Sequence, residues 1–396
     1  MRTDRSNIKS IRKCAFWGFS LALAVFLWLG LMAVPANAQE QQPILIGVLF
    51  DGSGRAAFYS GQTVMGIEAA ADEINKSGGI MGKQIKLAKQ DDGNNPNVAP
   101  MRTRALIEGG AVAVIMTSGS ASTLQARVVL EEMQVPGLTA NLNPKIVEPP
   151  NNTYIFSIGN DSNQIVEALT EAVKPYKRLA IFTDNSPTGM GLADSYKSAF
   201  EKAGIKVLMV EAVDVGATDA TAIVSRMKAN NVDAVFVSGQ AAGEQALFLR
   251  TAEMQGLDVP MFQDITAGSP KYHQLAGAAA LKNLRFITSY DPDNQYSKKI
   301  EEIIKAKFGG KAVEPTLYLQ GWDDVYLLKT AIENAGSTKW IALRDAIEKI
   351  SGFRSSWGQE GYTLNCSKDN HLCSSLKGIV LRGFENGKPG KVVQRF

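Results

Sequence analysis

Histidine and cysteine are nearly absent: the chain of 396 residues has two His and three Cys. That leaves little material for a zinc site, and a histidine-dependent triad would have to use His273 or His371. Net charge is missing too. Lys and Arg number 42 against 39 Asp and Glu, which excludes a charged disordered tail and a protein that coats nucleic acid. Beyond the N-terminus no apolar run reaches about eighteen residues, so a polytopic membrane protein is excluded. What is present, 45% apolar residues with 36 Gly and 15 Pro, is the composition of an α/β protein of two or three domains.

The first segment reads as an export signal. Arg2, Arg5, Lys9, Arg12 and Lys13 precede an apolar run from Ala15 to Val34, which closes on Pro35-Ala36-Asn37-Ala38, a small-x-small cleavage pattern. An uncleaved anchor is the alternative that the run's length allows; the proline and the small residues favour cleavage. Cys14 sits before the run rather than after a small-residue box, which argues against a lipoprotein. Removing residues 1–38 takes five basic side chains and one acidic one, and leaves a nearly neutral protein.

Only Cys366 and Cys373 then remain. In an oxidising compartment a pair at this spacing reads as a disulfide, which would contribute about 2.5 kcal/mol in the chain-entropy model. A metal pair with His371 is the alternative, one ligand short of a structural zinc site.

Along the rest of the chain strand and helix alternate. Residues 43–50 form a continuous apolar run, as a strand buried on both faces should. A helix follows over 60–76, with Val64, Ile67, Ala71 and Ile74 at helical spacing and Gly78-Gly79 as its stop. Strands are expected over 85–88, 111–116 and 137–140, with helices over 97–108 and 122–133. After Pro149-Pro150 a second series runs through strands 179–183, 206–213, 234–237 and 261–263, with helices over 162–173, 189–203, 218–229 and 242–255. Residues 284–287 read as a connecting strand. Two long helices and a third over 340–350 follow, and the β tail has a hairpin turn at Glu385-Asn386-Gly387-Lys388. Two successive β/α series argue for two doubly wound lobes.

The motif census is mostly negative. Gly52-Ser53-Gly54-Arg55-Ala56-Ala57 satisfies G-x-G-x-x-A after a strand, but the acidic residue that the end of the second strand should bring about 20 positions on comes only with Asp91-Asp92, nearly forty residues away. Asp91-Asp92 is better read as a cap on the following turn than as an acid/base pair. His273 is read as an exposed helix residue. The loops at the carboxyl ends of the strands, where open α/β sheets bind ligands, are rich in hydroxyl and amide groups: 117–123, 141–143, 184–188 and 238–240. The Ser-rich one precedes a helix whose free N–H groups attract a carboxylate, and part of its composition is ordinary N-capping. Polar donors without an obvious nucleophile, base or metal point to binding without chemistry.

The segment from Ile46 to Pro96, with its DGSGRAAFYSGQTVMGIEAAADEINKSGGIMGK run, together with VAVIMTSGSAST, IFSIGNDSNQ and NNVDAVFVSG, resembles the periplasmic leucine/isoleucine/valine-binding proteins. These are the substrate-binding subunits of branched-chain amino-acid ABC transporters. The resemblance implies the type I binding-protein fold, two Rossmann-like lobes with a central ligand cleft and three hinge crossovers near Ile158–Asp161, Ile287–Tyr290 and Ser356–Tyr362. It divides the chain into a signal over 1–38, an N-terminal lobe over 39–158 plus 290–357, and a C-terminal lobe over 159–289 plus 358–396. It also implies a periplasmic monomer with no cofactor, no catalysis and no nucleic-acid partner, delivering a small ligand to an inner-membrane permease.

By the same resemblance Ser118, Gly119 and Ser120 match the loop that holds the ligand carboxylate, and Asn141, Leu142 and Asn143 the next contributor. Tyr59 falls on a tyrosine that covers the ligand. Thr188 and Gln240 stand where typical members have aromatics, and Asp264 lies within a residue of the acid that pairs with the ammonium. Arg55 replaces a common proline and would add a cation at the cleft lip. These departures leave aromatic acids, dicarboxylic acids and amides open beside hydrophobic amino acids, and a periplasmic sensory role open beside transport.

Overall fold

The apolar run after the N-terminal segment becomes strand β1 (Ile44–Phe50), buried along most of its length. The structure is a computed structural model that describes residues 42–239 and 242–396; the export segment, with Cys14, and Gln240 lie outside the described residues. β1 is the second strand of a parallel sheet ordered β2-β1-β3-β4-β5, with β2 at Ile85–Asp91, β3 at Ala113–Met116, β4 at Gly137–Thr139 and β5 at Ile155–Ser157. Parallel strands need crossover connections, and here these are helices α1 (Ala57–Lys76), α2 (Ala99–Glu108) and α3 (Ser120–Met133). β5 went unpredicted, because a three-residue strand after a proline pair carries almost no periodicity. α3 begins two residues earlier than expected, which makes Ser120 its first residue and Gly119 its N-cap.

The second sheet repeats the plan and extends it, in the order β14-β13-β10-β9-β8-β6-β7. Its parallel part comprises β6 (Leu179–Asp184), β7 (Val207–Val213), β8 (Ala234–Val237), β9 (Met261–Gln263) and β10 (Leu284–Thr288). Far from a mere connection, β10 pairs parallel with β9 and antiparallel with β13 (Val380–Glu385), which turns into β14 (Lys388–Arg395). Asn386 and Gly387 at that turn have φ of 52° and 75°, the left-handed pair that a two-residue hairpin requires. Helices α4 (Ser162–Val173), α5 (Pro187–Lys202), α6 (Thr221–Ala229), α7 (Ala242–Met254) and α8 (Pro270–Ala276) cover the faces. Alternation along the strands separates two cores: Ala180, Phe182 and Val235 pack with α6, α7 and α8, and Leu179, Ile181 and Phe236 with α4 and α5.

The remaining helices, α9 (Gln295–Phe308), α10 (Pro315–Ala335) and α11 (Trp340–Ile347), return to the first sheet and share one core with α1 and β1. α10 reaches α1 almost backbone to backbone. A Cβ on Gly66 would lie 1.8 Å from the Tyr318 carbonyl oxygen, and one on Gly321 would lie 2.1 Å from that of Thr63. Those two notches seat α10 against the middle of α1, where Gln62 Oε1 accepts from the Val313 and Glu314 N–H groups at the start of α10. α10 also carries two adjacent buried carboxyls. Asp323 accepts from the Ser355 hydroxyl (2.7 Å) and the Ser356 N–H (2.8 Å), and burial still pushes it up to about 7. Asp324, with no hydrogen-bond partner among the described residues, is raised well above the ordinary range by burial and by Asp323.

The chain passes between the sheets three times, and the passes are tied together. The Gly358 N–H donates to the Ser289 carbonyl (2.8 Å), the Ser289 hydroxyl to Asn160 Oδ1 (3.0 Å), and Asn160 Nδ2 to the Ser375 carbonyl (2.9 Å). Near the third pass a short ribbon, β11 (Phe353–Arg354) with β12 (Thr363–Leu364), leads into the Cys366–Cys373 disulfide, with an S–S distance of 2.04 Å. The cysteines therefore do not form a metal pair with His371, whose Nδ1 lies 2.9 Å from the Ile155 carbonyl oxygen and whose ring stacks on Phe156.

Candidate functional site

The carboxyl ends of the strands border a cavity of about 430 Å³ between the two sheets, a volume suited to a small molecule. From the first sheet come Thr117, Ser118, Gly119 and Ser120 after β3, and Ala140, Asn141 and Leu142 after β4. Ala56 and Tyr59 join them from the start of α1. The opposite wall comprises Ile265, Thr266, Gly268 and Ser269 after β9, with Thr288 and Ser289 at the end of β10. Asn160, Ile165 and the first turns of α10 (Glu314, Thr316, Leu317 and Gln320) complete the lining.

The first wall is held rigid by its own hydrogen bonds. Ser120 Oγ donates to Asn141 Oδ1 (2.6 Å), and Asn141 Nδ2 donates to the Ser118 carbonyl (3.2 Å), so the two loops are clipped together. The Ser118 hydroxyl is buried and donates to Asp92, so it is the loop's backbone rather than this hydroxyl that remains for a ligand. Gly119 caps α3 with no side chain, which leaves the first N–H groups of that helix without an intrahelical partner. A Cβ there would sit 2.3 Å from Asn94 Oδ1, so a larger residue would require the Asn94 side chain to move. The Asp91-Asp92 pair has a structural task. Asp91 Oδ1 accepts from the N–H groups of Gly52 (2.9 Å) and Gly93 (2.8 Å), and Asp92 Oδ1 from that of Asn94 (2.8 Å).

Four of the expected positions lie away from the cavity lining. Asn143 turns outward, where its side chain accepts from the Lys145 N–H (3.0 Å) and caps a short 3₁₀ turn. Thr188 is exposed in the first turn of α5. Arg55 is exposed and forms no ion pair among the described residues. Asp264 caps the turn after β9: its carboxylate accepts from the Thr266 N–H (2.9 Å), the Thr266 hydroxyl (2.6 Å) and the Tyr196 hydroxyl (3.3 Å). Gln240, again, lies outside the described residues. The glycine-rich stretch after β1 offers no phosphate cradle, because the N–H groups of Ser53, Gly54 and Ala56 all donate to the Asp51 carboxylate. His273 is half-buried rather than exposed; its Nε2 lies 2.6 Å from the Ala267 carbonyl oxygen, and burial lowers its pKa.

Sequence reasoning missed the contribution of β10 and α10, and in the turn after β9 it named Asp264 rather than Ile265 and Thr266. Thr288 and Ser289 come from a segment that looked like a connector, and Thr316 from the start of a helix with no sign that it faces a cavity. It also missed Glu314, the one charged side chain among the lining residues. Glu314 precedes Pro315 at the start of α10, and burial pushes its carboxyl up to about 7. A Glu-Pro helix start is legible in a sequence; its facing a cavity is not.

The profile of a family described as periplasmic binding protein matches residues 43–376. Among similar proteins, Leu/Ile/Val-binding protein homolog 1 of Brucella abortus is 28% identical over 388 residues, 96% of this chain and 98% of that protein. An amino acid binding protein of Pseudomonas aeruginosa is 27% identical, over 86% of this chain and 91% of its own length. Among solved structures, the branched-chain amino acid transporter substrate binding protein LivJ of Streptococcus pneumoniae, in complex with isoleucine, superposes with a TM-score of 0.69 at 23% identity. That superposition covers 89% of this chain and 99% of LivJ. A putative branched-chain amino acid ABC transporter protein from Silicibacter pomeroyi reaches 0.76 at 18% identity, over 89% of this chain and 96% of that one. No helix among the described residues is long and apolar enough to cross a membrane.

Proposed function

The chain belongs to the periplasmic binding protein family, and we propose that it captures a small hydrophobic amino acid between two lobes and hands it to an inner-membrane ABC permease. The observation that carries this reading is the cavity itself. One wall offers the open N-terminus of α3, Ser120 and Asn141, the other adds hydroxyls and the apolar side chain of Ile265, and α10 adds that of Leu317. Backbone N–H groups at a helix start suit a carboxylate, and the uncharged remainder suits an apolar side chain. The names of the relatives, Leu/Ile/Val-binding and amino acid binding, agree with that chemistry.

In this reading residues 39–158 with 290–357 form one lobe and 159–289 with 358–396 the other. The three hydrogen-bonded passes act as the hinge. A ligand that touches both walls favours the closed form, and the closed form docks on the permease. Residues 1–38 direct export and are cleaved, which places the mature protein in the periplasm.

Thermal unfolding of the ligand-stripped mature protein tests this against amino acids, aromatic acids, dicarboxylates and amides. At a hundredfold excess over Kd a true ligand adds about 2.7 kcal/mol of stability, readily visible as a rise in Tm. Stabilisation by hydrophobic amino acids is the expected result. Stabilisation by none of the panel overturns the reading.

A further inference from the structure

Glu314 is the N-cap of α10, yet its side chain makes no capping bond. Its N–H donates to Gln62 Oε1 (3.1 Å), but among the described residues its carboxylate has neither a hydrogen-bond partner nor an ion pair. It lines the cavity, and no Lys, Arg or His lines the cavity with it. Asp264 is the opposite case, a carboxylate satisfied by Thr266 and Tyr196 and outside the lining. From these placements we infer that Glu314, and not Asp264, receives the cationic group of the ligand, so that the site accepts zwitterions and rejects carboxylic acids that lack an ammonium. The inference rests on the cavity's being the ligand site proposed above.

The electrostatics run one way. A carboxylate seated at the start of α3 is met only by neutral donors and a helix terminus, worth far less than a full cation. Adding a second, ionised carboxylate to the same enclosed space, as any simple acid would, sets two like charges against each other with nothing to offset them. A ligand that also carries an ammonium cancels the Glu314 charge, and its own net charge is zero. The raised pKa of Glu314 is what burial without a partner produces, and an ammonium beside it would draw the proton off. The titratable neighbours are few: Tyr59 in the lining, Lys311 exposed in the turn before α10, and Tyr318, whose hydroxyl donates to Glu301, itself paired with Lys305.

The test is titration calorimetry on the mature protein and on Glu314→Gln. The probes are L-leucine and L-phenylalanine, each beside its deaminated analogue, isocaproate and hydrocinnamate. The wild type should bind one or both amino acids and discriminate against the matching analogue by on the order of 30-fold or more. Glu314→Gln should lose about tenfold or more in amino-acid affinity and most of that discrimination, with Tm unchanged or raised, because the side chain has no structural partner to lose and its burial disfavours the charged form. Glu314→Asp, which keeps the charge, should retain part of the discrimination. Near pH 6.5 binding to the wild type should release a proton, read as a dependence of the apparent enthalpy on the buffer's ionisation enthalpy, and the Gln variant should not. Amino-acid affinity within twofold of wild type in Glu314→Gln, or equal binding of amino acid and analogue by the wild type, overturns the inference and leaves the binding function standing. No binding of any probe overturns the binding function, and this assignment with it.

Discussion

At the carboxyl ends of β3 and β4 the polar groups face the cavity, whereas at those of β6 and β8 they serve the fold. Ser120 and Asn141 are clipped to each other and still line the cavity, beside the uncapped start of α3. After β6, the Asp184 carboxylate accepts from the Ser186 N–H and hydroxyl, and Ser186 in turn caps α5 by accepting from the Gly189 N–H (3.0 Å). After β8, Gln245 Nε2 donates to the carbonyls of Ser238 (3.3 Å) and Gly239 (2.6 Å), in a buried relay that continues through Gln263 to Tyr272. The loops are alike in composition and unlike in use. A cap that is filled from within its own turn cannot also hold a ligand, and a cap left without a side chain can.

The same contrast holds among carboxylates, and there the largest effect is expected. Asp323 and Asp324 keep their protons to a higher pH in the folded state than in the unfolded chain, where they titrate near 4. Between about pH 4 and pH 7 the folded state therefore binds more protons, and stability falls as pH rises through that window. Asp324→Asn should remove that residue's share of the fall and leave the share of Asp323, seen as a shallower decline of Tm from pH 5 to pH 8; an unchanged slope would place the titration elsewhere.

Next in size are two glycines of the compared loops. Gly119→Ala drives a Cβ against Asn94 Oδ1, and Gly189→Ala drives one to 2.5 Å from the Asp184 carbonyl oxygen. The second costs about 1–3 kcal/mol of overpacking against backbone, and the first costs less, because the Asn94 side chain can turn aside. Calorimetry should find the first loss mainly in affinity, and thermal unfolding should find the second mainly in stability. Equal losses of affinity would erase the contrast.

Ser120→Ala should weaken ligand binding by about 1–3 kcal/mol, because it removes both a cavity-lining hydroxyl and the clip to Asn141. Thr188→Ala, in the exposed counterpart, should stay within about 0.5 kcal/mol in affinity and stability alike. A small but telling case is Asp264→Asn. Loss of its charged acceptor for Thr266 and Tyr196 should cost about 1 kcal/mol of stability at unchanged affinity. A large affinity loss there would instead make Asp264 a ligand group.

Much of this protein is legible without coordinates, and the reasons are local. Buried parallel strands announce themselves as apolar runs, as at Ile44–Phe50 and Ala234–Val237, and amphipathic helices by their spacing, as at Ser162–Val173. The Asn386-Gly387 turn follows from backbone sterics alone. Ser118 to Ser120, Asn141 and Leu142 could be placed at the cavity because strand ends in a doubly wound sheet share one side. Tertiary structure decided the rest, because it depends on what residues distant in sequence do to one another. Whether a polar side chain is free or engaged turns on partners such as Tyr196 for Asp264, which no spacing rule supplies. Glu314 reaches the cavity only because Gly66 and Gly321 let α10 settle against α1, a contact between segments some 250 residues apart.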